Sequence, residues 1–281
     1  MTRPSLSVVI PTCNRTGLLV EAVESAFRQT TGVLEVIVVD DASAEDPGPA
    51  LARFGDRLRL ERLPQRSGAN VARNRGIDLA RGDLVGFLDD DDLWLPHKTE
   101  TQLAAMAEGG HAACLCRTES STRRRSARVV DADWLRQSTP CGTSGLLIRR
   151  DLVAGMRFDP ALPRAQDWDL FVRLVQRGTL AMVPEPLYAR RTGHDRITTA
   201  TLDLTPADLM EQAAALRKHR DWLGETAYRQ RLARLLLAHL PQRRGKARFV
   251  AAALRHAGPR AALAELVSKI RRHGGAAHET P

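Results

Sequence analysis

Four carboxylates stand side by side at Asp89, Asp90, Asp91 and Asp92, directly after the apolar run Leu84, Val85, Gly86, Phe87, Leu88. Like charges at that spacing repel one another, so at the end of a buried strand they require a cation among them. Ligand sets made only of oxygen suit Mg2+ or Mn2+, ions usually held by one or two carboxylates together with substrate phosphates. The plain alternative is a solvated acidic turn, the common fate of a charge run. Other polar residues occupy comparable places. Thr12 follows the apolar run at 6–10, Asp40 and Asp41 close the run at 33–39, and Asp167 opens a helical stretch, where its plain role is a cap or dipole partner.

The elements that must hold these groups alternate. A β-branched run at 6–10 and a polar turn at 11–17 precede Leu18, Leu19, Ala22, Val23, Ala26 and Phe27 at helical spacing, and a strand at 33–39 follows. A short strand at 58–63, a helix at 69–80 and a strand at 84–88 continue the series. Strand, helix and strand with short connections predict parallel pairing in an α/β layer fold. In such sheets ligands bind at the carboxyl ends of the strands, where Thr12, Asp40, Asp41 and the acidic run all fall. Further on, the pattern predicts a helix to about residue 107, strands near 112–116 and 145–148, and a helix opened by Gln166 with Phe171, Leu174 and Val175 on one face. Arg123, Arg124 and Arg125 fall in a polar stretch at 120–128, either a solvated loop or a contact for a phosphate or acidic acceptor.

The chain has 281 residues, 43% of them hydrophobic, enough to build a substantial core. It contains no apolar stretch of the roughly 18–20 residues that span a bilayer, and residues 1–7 lack the pattern of a signal peptide, so a cytoplasmic location is expected. Cys13, Cys114, Cys116 and Cys141 are too few for a disulfide framework, and the C-x-C pair reads as alternate positions of one strand rather than half a zinc site. The net charge of +9 is unevenly placed: residues 205–281 carry 15 Lys and Arg against 6 Asp and Glu, while residues 1–204 balance at 27 of each. The division predicts a catalytic domain over 1–204 and a basic, amphipathic helical extension over 205–281. In that extension Tyr228, Leu232, Leu235, Leu236 and Leu240, then Phe249, Ala253, Leu263, Leu266, Val267 and Ile270, form apolar stripes. Two readings are open: the stripes pack on the catalytic domain, or they dock on an anionic membrane at its inner face. Nucleic acid is not expected near the acidic run, which would repel its phosphates.

Four blocks together resemble the inverting, nucleotide-sugar-dependent glycosyltransferases of family 2. They are SVVIPTCNR at 7–15, VIVVDDAS at 36–43, SGANVARNRGIDLARGDLVGFLDDDDLWLP at 67–96 and QDWDLFVRL at 166–174. The resemblance implies a GT-A fold, a Rossmann-like, mixed but mostly parallel sheet flanked by helices. It also implies transfer of a sugar from a nucleotide diphosphate sugar, UDP-sugar favoured over guanosine or thymidine donors, to a hydroxyl acceptor such as a glycan, a lipid-linked sugar or a natural product.

Carried onto this chain, the resemblance places Pro11, Thr12, Asn14 and Arg15 at the donor nucleotide, with Asp41 accepting from the imide N–H of uracil and Asp40 beside it. Asn70 and Asn74 join the donor contacts, although Asn74 and Arg73 also fit a structural part between helix and strand. Asp89 and Asp91 are the ends of the D-x-D motif: Asp91 holds Mn2+ or Mg2+, Asp89 and Asp90 face ribose and sugar, and Asp92 caps the turn before Trp94. Asp167 matches the catalytic base, preceded by Gln166 where the family usually has Glu. Gln166, Trp168, Arg191 and His194 are candidates for acceptor or diphosphate contacts, with Arg190 and Arg196 in the same basic segment. Two rivals stand beside this reading. A metal-dependent nucleotidyltransferase would show a Gly-rich basic loop after the first strand, which PTCNRTG does not provide. A membrane-associated binding protein with a degenerate transferase domain would rest on the basic extension alone.

Overall fold

The structure of the chain, a computed structural model, describes residues 4–121, 126–191 and 202–275, with side chains to residue 270. Arg123, Arg124, Arg125, His194 and Arg196 therefore lie outside the described residues. The chain divides into two compact units, Met1–Ala161 with Gln166–Thr192, and Leu162–Ala165 with Gly193–Pro281.

The first unit is built on one sheet. Strand β1 (Leu6–Thr12) is buried at all of its positions, and its Val8, Val9 and Ile10 are the branched residues that fit a two-sided core. Helix α1 (Thr16–Phe27), β2 (Glu35–Asp40), α2 (Gly48–Leu51), β3 (Leu58–Arg62), α3 (Ala69–Leu79) and β4 (Leu84–Phe87) follow, and the strands pair in parallel in the order β3-β2-β1-β4. Val8 faces Val36 on one side and Gly86 on the other, so β1 is the centre of this half. Helix α3 lies so close to β1 that a Cβ on Gly76 would overlap the side chain of Val9. Only glycine permits that approach, which brings Asn70, Arg73 and Asn74 of the same helix up to the strand ends.

Beyond β4 the strand directions mix. The elements are β5 (Asp92–Trp94), α4 (Lys98–Gly109), β6 (Ala113–Thr118), β7 (Val129–Val130), α5 (Ala132–Gln137), β8 (Leu147–Arg149), α6 (Arg150–Met156), α7 (Gln166–Val175) and β9 (Leu180–Arg190). Strand β8 runs antiparallel to both β4 and β6, while β9 runs parallel to β6 and antiparallel to β5 and β7. The sequence pattern does not anticipate β5, β7 or β9. The first two are three and two residues long, and β9 contains Pro184 and Pro186, residues that argue against a strand because they donate no ladder hydrogen bond. A register shift where Arg117 faces Pro186 absorbs the irregularity. Cys114 and Cys116 sit on one buried face of β6, and burial pushes their thiols up to about 12 and about 11, which keeps them in the unreactive form.

The second unit contains α8 (Pro206–Gln212), α9 (Ala214–Lys218), α10 (Arg220–Leu236), α11 (Lys246–Ala257) and α12 (Pro259–Gly275). Thr205 caps α8 in a reciprocal box with Asp208, and α10 is kinked at Gly224, whose φ of 73° lies in the left-handed region. Its core gathers Leu209, Leu223, Tyr228, Leu232, Leu236, Phe249 and Ala253. Arg243 is buried against the Phe249 ring, 4.5 Å from its centroid, and donates to the carbonyls of Ala238 and Leu204. Leu263, Val267 and Ile270, the later part of the apolar stripe, are exposed.

Candidate active site

The acidic run leaves β4 and turns into β5, and each member has a different surrounding. The Asp89 backbone N–H donates to the Ser144 hydroxyl at 3.1 Å, and its carboxylate accepts from Arg73 at 2.6 Å. Asp90 is buried, accepting from the Thr12 hydroxyl at 2.8 Å and pairing with Arg15 at 3.1 Å. Burial pushes its carboxyl up, against the hydroxyl and the guanidinium that hold it down. Asp91 is half-buried, with Arg15 at 3.5 Å. Asp92 is buried and accepts from the Ser144 hydroxyl at 2.7 Å. Its carboxyl is pushed up to about 7, first by burial and then by the charge of Asp89. One oxygen each from Asp89, Asp91 and Asp92 lies within 4.8 Å of the others. Three close carboxylates with only oxygen donors, one of them forced toward its neutral form, fit a hard divalent cation such as Mn2+ or Mg2+.

The ends of β1 and β2 are bound to each other beside this turn. Asn14, with a left-handed φ of 56°, donates its backbone N–H to Ser43 and accepts from the Ala44 N–H through its side chain. Pro11 is buried in β1, in register with Val39. Asp41 accepts from the backbone N–H groups of Ser67 and Gly68 at 2.6 and 2.8 Å, anchoring the entry to α3, and each oxygen keeps a second lone pair. Asp40 corrects the expectation of a donor contact. Its side chain is fully buried and accepts from Arg62 and from the Ser43 hydroxyl, so it holds the 40–43 turn from beneath.

Asp167 reaches the same place from the far half of the unit. It stands in the first turn of α7, half-buried, accepting from the Trp168 N–H at 2.7 Å. Burial pushes its carboxyl above the usual range; the Trp168 N–H and the Arg73 charge pull it down, and the Asp89 charge pushes it up. Arg73 itself is buried beside the Phe158 ring. One guanidinium thus acts on the acidic turn and on the candidate base together.

Several expected contacts fall elsewhere. Trp168 is fully buried and donates its indole N–H to the Leu135 carbonyl, so no ring face is offered to an acceptor sugar. Asn74 bonds both the carbonyl and the N–H of Phe158, and Asn70 donates to the Asp159 carbonyl; both fasten the 158–159 segment to α3. Arg191 donates to the carbonyls of Leu18, Asp90 and Asp91 and pairs with Glu21, which clamps the acidic turn by its backbone. Asp92 closes the turn, its backbone N–H donating to the Asp89 carbonyl at 3.0 Å, and opens β5. Gln166 begins α7 at the site's edge, and His194 lies outside the described residues. Sequence reasoning missed Ser144, which a one-turn helix at Thr143–Gly145 delivers to Asp89 and Asp92; no local signal marks that serine. It also missed Asp92 as a ligand candidate, because a run of four Asp contains two overlapping D-x-D pairs.

The sheet carries an acidic turn at its strand ends, and comparison with known proteins supplies the family. The profile of Glycosyl transferase family 2 matches residues 7–158. Over 214 residues the chain is 30% identical to the amylovoran biosynthesis glycosyltransferase AmsB of Erwinia amylovora, covering 65% of this chain and 68% of that one. It is 36% identical over 109 residues to the putative teichuronic acid biosynthesis glycosyltransferase TuaG of Bacillus subtilis, covering 38% of this chain but only 43% of that protein. Among solved structures it is similar to S. aureus TarS 1-349 in complex with UDP-GlcNAc, with a TM-score of 0.65 at 18% identity over 88% of this chain and 79% of that one. It is also similar to the mannosyltransferase PcManGT of Pyrobaculum calidifontis in complex with GDP-Man and Mn2+, with a TM-score of 0.62 at 22% identity over 96% and 81%. The fold is GT-A, and the chain belongs to glycosyltransferase family 2.

Proposed function

We propose that the chain moves a sugar from a nucleotide diphosphate sugar, UDP-sugar favoured, to a hydroxyl acceptor with inversion at the anomeric carbon. The acceptor class is a glycan, lipid-linked sugar or natural product. The observation that carries this reading is that Arg73, bonded to Asp89 at 2.6 Å, also acts by its charge on Asp167, which supports a base near the acidic turn. Asp91, with Asp89, would hold Mn2+ or Mg2+, which would neutralise charge developing on the departing diphosphate. Pro11, Thr12 and Asp41 line the nucleotide side, and Arg15 and Arg191 keep the acidic turn in shape. Asp167 accepts the proton of the acceptor hydroxyl as that oxygen bonds to the anomeric carbon, while the bond to the diphosphate breaks and its electron pair leaves with the phosphate. A carboxyl raised from its usual range is a stronger base for this purpose. The basic helices of the second unit bring the enzyme to an anionic membrane surface, which suits a lipid-linked acceptor.

Calorimetry and a product assay test the reading together. Asp91→Ala abolishes Mn2+-dependent binding of the nucleotide, whereas Asp167→Asn leaves donor binding intact and lowers transfer by about 10²–10⁴-fold. Equal loss of donor binding in both variants contradicts the division of roles. Release of pyrophosphate rather than nucleoside diphosphate would mark a nucleotidyltransferase and sink the reading.

A further inference from the structure

Helix α12 carries its amphipathic pattern the wrong way round for a helix whose outer face meets water. Ala261, Ala262 and Glu265 are buried, whereas Leu263 is 57%, Val267 46% and Ile270 71% exposed. These three follow one another at four- and three-residue spacing, so they share one face. The buried Glu265 is matched within the unit by Lys269 at 3.7 Å and Arg234 at 3.8 Å, which frees the apolar residues to point outward. On the preceding helix Leu254 is also exposed, at 40%, with exposed Lys246, Arg248 and Arg255 on the same element. From residue 243 to 272 the sequence holds nine Lys and Arg against one acidic residue, Glu265.

We propose that the outward face of α12, led by Leu263, Val267 and Ile270, is the surface that inserts into an anionic phospholipid interface, with the Lys and Arg around it held at the phosphates. This rests on the membrane contact read above and assigns it to one face. Two observations select lipid over other occupants. A second copy of the chain would present the same excess of positive charge and be repelled. Single-stranded nucleic acid is bound on aromatic platforms, and the one Phe, Tyr or Trp in 243–272 is Phe249, which is fully buried. An exposed aliphatic stripe in a segment rich in Lys and Arg is the pattern that lies in the headgroup region of a bilayer, the apolar side chains entering the acyl boundary and the cations drawn to anionic lipid.

The experiment uses the full chain with vesicles of phosphatidylcholine alone and of phosphatidylcholine with phosphatidylglycerol, read by sedimentation. The protein partitions onto the anionic vesicles, and added salt weakens it. The triple variant Leu263→Gln, Val267→Gln, Ile270→Gln loses about tenfold or more of that partition, because three apolar side chains no longer enter the acyl boundary. Its thermal midpoint and donor affinity stay at the wild-type values, which shows that the fold is intact. If the wild type binds anionic vesicles and the triple variant binds them equally, the membrane contact stands and its assignment to α12 fails. If the wild type ignores anionic vesicles, both fail. A wild type that self-associates in sedimentation velocity, with a monomeric triple variant and no vesicle binding, makes the face a contact between copies and overturns the proposal.

Discussion

The acidic turn of the first unit and the basic helices of the second handle charge in opposite ways. In the turn, few charges are crowded and largely buried, and they are fixed by partners brought from elsewhere in the chain: Arg73 for Asp89, Arg15 and Thr12 for Asp90, Arg15 for Asp91, Ser144 for Asp92. In the helices the charges are many and mostly exposed, and most described pairs join near neighbours, as Glu225 does with Arg220 and Arg229, while Arg234 reaches Glu265 from another helix. A buried charge that loses its partner is left without water to replace it, whereas an exposed one exchanges a partner for solvent. The first arrangement makes a site of defined chemistry; the second makes a field, in which the sum counts more than any member.

That contrast is sharpest at Arg73. Arg73→Met removes the guanidinium that restrains Asp167 and pairs Asp89, and kcat/KM falls by about 10²–10³-fold, equivalent to roughly 3–4 kcal/mol. The acid limb of the pH–rate profile also moves to higher pH, because the base must be ionised and has lost the charge that favours its ionised form. An unmoved limb breaks the link between Arg73 and the base.

Asp92 gives a pH test of the metal-free protein. Its carboxyl titrates near 7 when folded against 3.8 as the ordinary value, so between those limits the folded state retains a proton that the unfolded state has released. Its contribution to stability is therefore most favourable below 3.8 and is lost as pH rises toward about 7, on the order of a few kcal/mol. Denaturation in chelator, comparing wild type with Asp92→Asn across pH, shows the slope in the first and its loss in the second. Added Mn2+ stabilises the wild type more at pH 8 than at pH 6, since proton and cation compete for the same oxygens.

A smaller effect is expected one step further out. Ser144→Ala removes the hydroxyl shared by Asp89 and Asp92, costing about 1–3 kcal/mol in unfolding free energy and weakening Mn2+ by about tenfold or more in calorimetry. Unchanged Mn2+ affinity would reduce Ser144 to a packing residue. At the far end of the scale, Glu225→Gln in the second unit leaves the thermal midpoint unchanged. A clear drop there would show that the helices also depend on individual pairs, and the contrast between the two regions would fail.

The legibility of the fold follows the same division. Strands β1, β2 and β4 are readable because unbroken apolar runs end in polar residues, and α3 because its apolar positions recur at helical spacing. Strand β9 hides behind two prolines, and β5 is only three residues long, so neither carries a periodic signal. Asp40 and Asp41 look alike in the sequence, yet one is sealed beneath the turn and the other holds the entry to α3. The pleat and the chain direction separate neighbours that composition cannot. Trp168 shows the reverse error: an aromatic beside the base suggests a sugar platform, and packing against α5 takes it out of reach.

The sequence by itself determined the alternation of strands and helices, the placing of carboxylates at strand ends, the basic character of the last quarter and the apolar stripe of its final helix. These depend on local period and residue type, which a single stretch of chain contains. Tertiary structure alone decided that Arg73 binds Asp89 and acts by its charge on Asp167, that Ser144 fastens two members of the acidic turn, that Arg191 holds its carbonyls, and that the stripe of α12 faces outward. Each of those is a meeting of residues far apart along the chain, or a choice of which face is buried. Such facts are settled by how elements pack, because burial and electrostatic coupling belong to neighbourhoods in space and have no local signature in the order of residues.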